Sequence, residues 1–97
     1  MEEGKLKQTL MTLIGNNVRQ CRMERGLTQE ELANMVEVDP STIARIEGGS
    51  RMMSILNLHA VAEALNVSYD ALLRGSDVDA RIGNIVAKLS GQTTDEL

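Results

Sequence analysis

The sequence predicts an all-helical protein, and three observations carry that expectation. Its apolar residues are Leu, Ile, Val, Met and Ala, with no Phe or Trp and one aromatic residue, Tyr69. Such side chains build cores by packing helix on helix. Proline occurs once, at Pro40, and no segment alternates apolar and polar residues over six or more positions. Apolar residues recur instead at three- and four-residue steps, the period of a helix face. Ninety-seven residues suffice for one domain around one modest core.

The elements follow in order. A first helix carries Leu10, Ile14, Val18 and Cys21 as one stripe and stops at Gly26, a left-handed C-terminal residue. Its start lies near Leu10, or further upstream if Leu6 and Leu13 continue the pattern. Thr28 and Glu31 form a capping box that opens a second helix, which runs to about Val36 and buries Leu32, Ala33 and Val36. Asp39 caps a third helix with Pro40 at its first position, where no amide donor is needed. Only Glu37 and Val38 separate these two helices, so a tight turn joins them. Ile43 and Ile46 face inward on the third helix, and Gly48-Gly49 end it.

Ser54 caps a fourth helix with Ile55, Leu58, Val61, Ala62 and Leu65 inward. Ser68 caps a short fifth helix over 69–74 that contributes Leu72 and ends at Gly75. A last helix is expected over about 77–89, with Asp77 and Asp79 in its first turn and Lys88 in its last, matching the helix dipole. Residues 91–97 form a polar tail. The expected organisation is an N-terminal extension over 1–13, a helical domain over 14–75 and a C-terminal helix and tail over 76–97.

Composition narrows the function classes. The single Cys21 excludes an internal disulfide and gives no metal-ligand spacing. One Cys, one His (His59, expected on the outside of the fourth helix) and no evident acidic pair leave nothing from which to assemble a catalytic site. No enzyme activity, cofactor or metal is therefore expected. No apolar run is long enough for a membrane span and no signal peptide is visible, so a soluble cytoplasmic protein is the expectation. The net charge of −4 lacks the strongly basic signature of many nucleic-acid binders. Its distribution matters more, because Arg19, Arg22, Arg25, Arg45 and Arg51 all fall between residues 15 and 52.

Two short helices, a tight turn and a Gly-Gly stop make a helix-turn-helix pattern. The stretch from Ile14 to Ala33, IGNNVRQCRMERGLTQEELA, resembles the opening of a lambda-repressor/Cro-like (Xre-type) domain. The resemblance continues through Ser41-Thr-Ile-Ala-Arg-Ile-Glu-Gly-Gly49 and from Val61 to Leu73, and covers about residues 14–75. It implies a five-helix lambda-repressor-like DNA-binding domain, to which this chain adds a C-terminal helix. Three positions depart from the family pattern. Glu37 stands where a turn Gly is common, Arg51-Met52-Met53-Ser54 lacks the usual Pro, and Cys21 replaces the usual Leu. Glu37 must adopt a strained left-handed conformation, or the turn takes another path.

The resemblance further implies a salt bridge between Arg22 and Glu47 that fixes the angle of the third helix; two solvated surface charges are the alternative. A helix set in the major groove offers its N-terminal residues to base edges. The outward positions are Pro40, Ser41, Thr42, Ala44 and Arg45. Arg45 can donate two hydrogen bonds to guanine O6 and N7, while Ser41 and Thr42 can meet a base or a phosphate. Ala44 either packs on a thymine methyl or avoids a clash. Gln29 matches the family position that grips the DNA backbone, beside the free amides of the second helix. Arg51 and, more weakly, Arg19 are further phosphate contacts.

Few cations on a small domain call for dimerisation. Val78, Ile82, Ile85 and Leu89 form a seam for a homodimer, or for docking on their own domain. The function expected is a sequence-specific transcriptional regulator, a repressor, binding a palindromic double-stranded operator as a homodimer. The competing class is a protein-binding module of the same fold, an antitoxin or anti-repressor whose termini hold a partner protein.

Overall fold

A computed structural model describes residues 2–75. Five helices follow in order: α1 (Glu3–Glu24), α2 (Gln29–Val36), α3 (Pro40–Glu47), α4 (Ile55–Leu65) and α5 (Tyr69–Arg74). No strand occurs among the described residues. The helix expected over 77–89, with Val78, Ile82, Ile85 and Leu89, lies outside them.

Helix α1 starts at Glu3, so the helix does extend upstream of Leu10, but Leu6 is 47% exposed and Leu13 half-buried, so the buried stripe does not reach Leu6. At 22 residues it is about 33 Å long and forms the spine of the fold. Its inner face packs on α3 and α5, while α2 and α4 close the other side. Between them lies one apolar cluster of Ile14, Val18, Leu32, Ala33, Ile43, Ile46, Val61, Ala62, Leu65 and Leu72. Leu10, Cys21, Val36, Val38 and Leu58 pack on it half-buried.

Ile55 corrects the inward set expected for α4, because it is 81% exposed. Side chains of a helix lean toward its N-terminus. Ile55, as the first residue of α4, therefore overhangs the end of the core, and Leu58, Val61, Ala62 and Leu65 carry the packing.

Four helices stop in the same way. The left-handed residue is Gly26, Glu37, Gly49 or Asn66, with φ of 71°, 61°, 76° and 56°. In each case its amide bonds three residues back and the next amide bonds five residues back, as in Val38 N–H to Ala33 O at 3.0 Å. These bonds satisfy carbonyls that a helix end otherwise leaves free. Glu37 thus takes the left-handed conformation, which costs an ordinary L-residue roughly 1–2 kcal/mol.

Gly15 sets the closest helix approach. A Cβ there would lie 2.3 Å from the Ile46 carbonyl oxygen and 2.9 Å from that of Glu47. Both obstacles are backbone, so any side chain at residue 15 pushes α1 away from α3.

Candidate nucleic-acid interface

The order of caps and turns aims α3 outward. Thr28 Oγ1 accepts from the Glu31 amide at 3.0 Å and Glu31 Oε1 accepts from the Thr28 amide at 2.8 Å, the full capping box of α2. Two residues beyond the Glu37 turn, Asp39 Oδ1 accepts from the Ser41 amide at 2.8 Å and Pro40 occupies the first turn of α3. The Ser41 amide and hydroxyl, with the nearby Arg45 charge, hold the Asp39 carboxyl below its ordinary value. The cap therefore stays ionised at neutral pH.

Ile43, Ile46 and Glu47 are buried, which leaves the opposite face of α3 open to solvent. Pro40, Ser41, Ala44 and Arg45 are exposed there and Thr42 is half-buried. This face carries a hydroxyl pair, a methyl and a guanidinium, with no acid in the first turn. It can donate hydrogen bonds and offer small apolar contact.

A polar anchor beneath α3 fixes its angle. Arg22 Nε donates to Glu47 Oε2 at 2.6 Å and its second terminal nitrogen donates to Oε1 at 3.0 Å, a two-pronged pair between α1 and α3. The remaining Arg22 nitrogen donates to the Leu27 carbonyl at 2.6 Å. The Glu47 side chain is 3% exposed and that of Arg22 11%. The hydrogen bonds that Arg22 donates to Glu47 raise its pKa above the ordinary value, against the effect of burial. Buried charges of this kind persist only when paired and hydrogen-bonded.

Gln29 joins this anchor. Its amide nitrogen donates to Glu47 Oε1 at 3.0 Å, so one of its two N–H bonds points inward and the other stays available. Arg19, Arg22, Gln29, Ala44, Glu47 and Gly48 line a cleft of about 230 Å³ where α1, α2 and α3 meet. Arg19 and Gln29 thus sit beside the outer face of α3. Arg51 is exposed in the loop that follows Gly49. Of the residues expected to act on DNA, Arg19, Gln29 and Ala44 line one cleft, and the four residues expected to form the dimer seam lie outside the described part.

Sequence reasoning missed two positions that hold the helices on α1, Asn17 for α5 and Gly15 for α3. Asn17 is buried in the α1 stripe and donates to the Leu72 carbonyl at 2.9 Å, tying down the end of α5. Its signal was available, as a polar residue three places after Ile14 and next to Val18. Gly15 gave no such sign, since nothing in the sequence says which helix lies across from it.

Comparison with known proteins decides the family. A model described as a helix-turn-helix domain matches residues 15–78. The chain belongs to that family. Its fold is of the lambda-repressor type: it is similar to the restriction-modification controller protein C.AhdI from Aeromonas hydrophila, with 32% identity and a TM-score of 0.62 over 64% of this chain and 94% of that one. It is also similar to the P22 c2 repressor, solved in complex with a synthetic operator, with 33% identity and a TM-score of 0.63 over 66% and 97% of the two chains. Among sequence relatives, the HTH-type transcriptional regulator RamB of Mycobacterium tuberculosis is 38% identical over 84 residues. That match takes in 87% of this chain but only 17% of RamB, so the chain spans about a sixth of that relative's length. The relatives it resembles are HTH-type transcriptional regulators, and the chain carries the helix-turn-helix domain they share. Among the described residues, no helix is long and apolar enough to cross a membrane.

Proposed function

We propose that the protein is a cytoplasmic repressor that binds a palindromic double-stranded operator as a homodimer, with α3 in the major groove. Pro40, Ser41, Thr42, Ala44 and Arg45 meet base edges, and Arg45 is the principal specificity contact through a two-pronged bond to guanine. Gln29, Arg51 and Arg19 hold phosphates and set the register. Arg22 and Glu47 read no base; they keep α3 at its angle. The C-terminal segment with Val78, Ile82, Ile85 and Leu89 joins two copies.

One observation supports this more than any other: the solvent face of α3 is acid-free and donor-rich while its opposite face is locked by the Arg22–Glu47 pair. The likeness to a repressor solved on its operator supports the same docking. The free amides at the start of α2 lie next to Gln29 and suit a phosphate.

Selection of bound sequences from a random duplex pool tests the proposal. The expected product is a consensus of two inverted half-sites about one helical turn apart. Enrichment of a single unrepeated half-site contradicts the dimer, and no enrichment contradicts sequence-specific binding.

A further inference from the structure

Residues 4–23 contain no Asp or Glu, the longest such stretch in a chain with 14 acidic residues. All of it lies within α1, where Lys5, Gln8, Thr12, Asn16 and Arg19 follow at steps of three, four, four and three. Those steps put them on one helix face. All five are exposed. Among the described residues, neither Lys5 nor Arg19 joins an ion pair.

The stripe runs alongside α3. At one end Arg19 lines the same cleft as Gln29, Ala44 and Gly48. Toward the other, the Gln8 amide donates to the Gly49 carbonyl at 3.2 Å, two residues before Arg51. Lys5 lies one turn beyond Gln8. From Lys5 to Arg19 the helix rises about 21 Å, or roughly six base-pair steps of duplex. Both N–H bonds of Gln8 are spent, on Thr12 Oγ1 at 3.2 Å and on the Gly49 carbonyl. The donors left along the face, the Lys5 ammonium, the Thr12 hydroxyl, the Asn16 amide and the Arg19 guanidinium, are of the kind that contact phosphate without regard to sequence.

We infer that this face of α1 is a phosphate track, lying along the DNA backbone beside the groove that α3 enters and lengthening the footprint beyond the bases read. The inference rests on the operator-binding function proposed above. Its partner is the sugar-phosphate backbone, chosen by charge: in a chain of net charge −4, a helix face whose only charges from Lys5 to Arg19 are positive is complementary to a polyanion.

Lys7 supplies the control. It is exposed and two residues from Lys5, which turns it to the far side of α1. Lys5→Gln and Lys7→Gln therefore remove the same charge from opposite faces. Salt titration of the full chain on its selected operator and on a random duplex separates them. Lys5→Gln should flatten the slope of log K against log salt by about 0.9 per chain bound, so its deficit relative to the parent shrinks about eightfold for each tenfold rise in salt. Lys7→Gln should keep the parent slope. Asn16→Glu, which places an acid on the track, should weaken both duplexes alike while melting with the parent protein. Equal slopes for Lys5→Gln, Lys7→Gln and the parent, with Asn16→Glu binding at parent affinity, would overturn the track and leave operator reading by α3 standing. A parent chain that binds no duplex overturns both.

Discussion

Helices α2 and α3 are joined through Glu37, and α4 and α5 through Asn66, by turns of nearly the same backbone. Glu37 has φ 61° and ψ 46°; Asn66 has φ 56° and ψ 49°. The following valines, Val38 and Val67, each bond five residues back at 3.0 Å, and each turn passes directly to an N-cap, Asp39 or Ser68. Even the helix crossing begins alike, with buried Ala33 and Ala62 four residues before the left-handed position. The molecule therefore holds two helix-turn-helix units, whose second helices differ in what they show to solvent. The second helix of the other unit shows Tyr69 and Asp70 to solvent in its first turn, whereas α3 shows Pro40 and Ser41 there, behind its Asp39 cap. A helix-turn-helix backbone is a way to pack two short helices; what the second helix shows to solvent makes it a reader.

The two second helices also differ in how α1 holds them. Helix α3 is held by the Arg22–Glu47 ion pair, α5 by the Asn17 amide on the Leu72 carbonyl. Removing each anchor should expose the difference. Glu47→Ala leaves a buried guanidinium unpaired, and should lower stability by about 3–5 kcal/mol in urea denaturation. The double variant Arg22→Met, Glu47→Leu should recover most of that loss, because no lone charge remains. A Glu47→Ala protein that unfolds at the parent's urea midpoint would remove the ion pair from the account.

Asn17→Ala leaves one buried carbonyl without its donor, at a cost of about 1–3 kcal/mol. Its effect should centre on α5, seen as faster amide exchange around Leu72 while α3 keeps its protection. Loss of protection in α3 before α5 would mean that the two anchors are not separate.

The turns themselves give the smallest effect. Glu37→Gly relieves left-handed strain but loosens the unfolded chain, for a net gain of about 0.5–1 kcal/mol. Asn tolerates the left-handed region, so Asn66→Gly should gain nothing and lose a few tenths of a kcal/mol at most. Equal gains in thermal melting from both would show that Glu37 carries no special strain.

Much of the fold was legible because helix ends announce themselves locally. Thr28-Glu31, Asp39-Pro40, Ser54 and Ser68 each cap the helix expected of them. The inward residues of α2 and α3 followed from spacing alone. Ile55 did not, since spacing cannot say where along a helix the neighbouring core ends. At the interface, the outer face of α3 was legible as the complement of Ile43 and Ile46. The bond from Gln29 to Glu47 was not, because it joins residues 18 apart through a crossing angle that no local signal encodes. Gly15, whose missing side chain permits the close approach of α1 to α3, was silent for a similar reason.

The central claim is that α3 carries specificity and its surroundings carry affinity, and Arg45 and Arg51 separate the two most directly. Each substitution to Ala removes one exposed positive charge, and the residues are only six apart. Binding of both variants is to be measured on operators with single-base changes, at two salt concentrations. Arg45→Ala should lose about 1–3 kcal/mol per half-site at one base position and keep discrimination elsewhere. Arg51→Ala should weaken every operator alike and lower the salt slope by about one unit per contact. Uniform loss for Arg45→Ala, with one base position relaxed by Arg51→Ala, would contradict the placement of α3 in the groove.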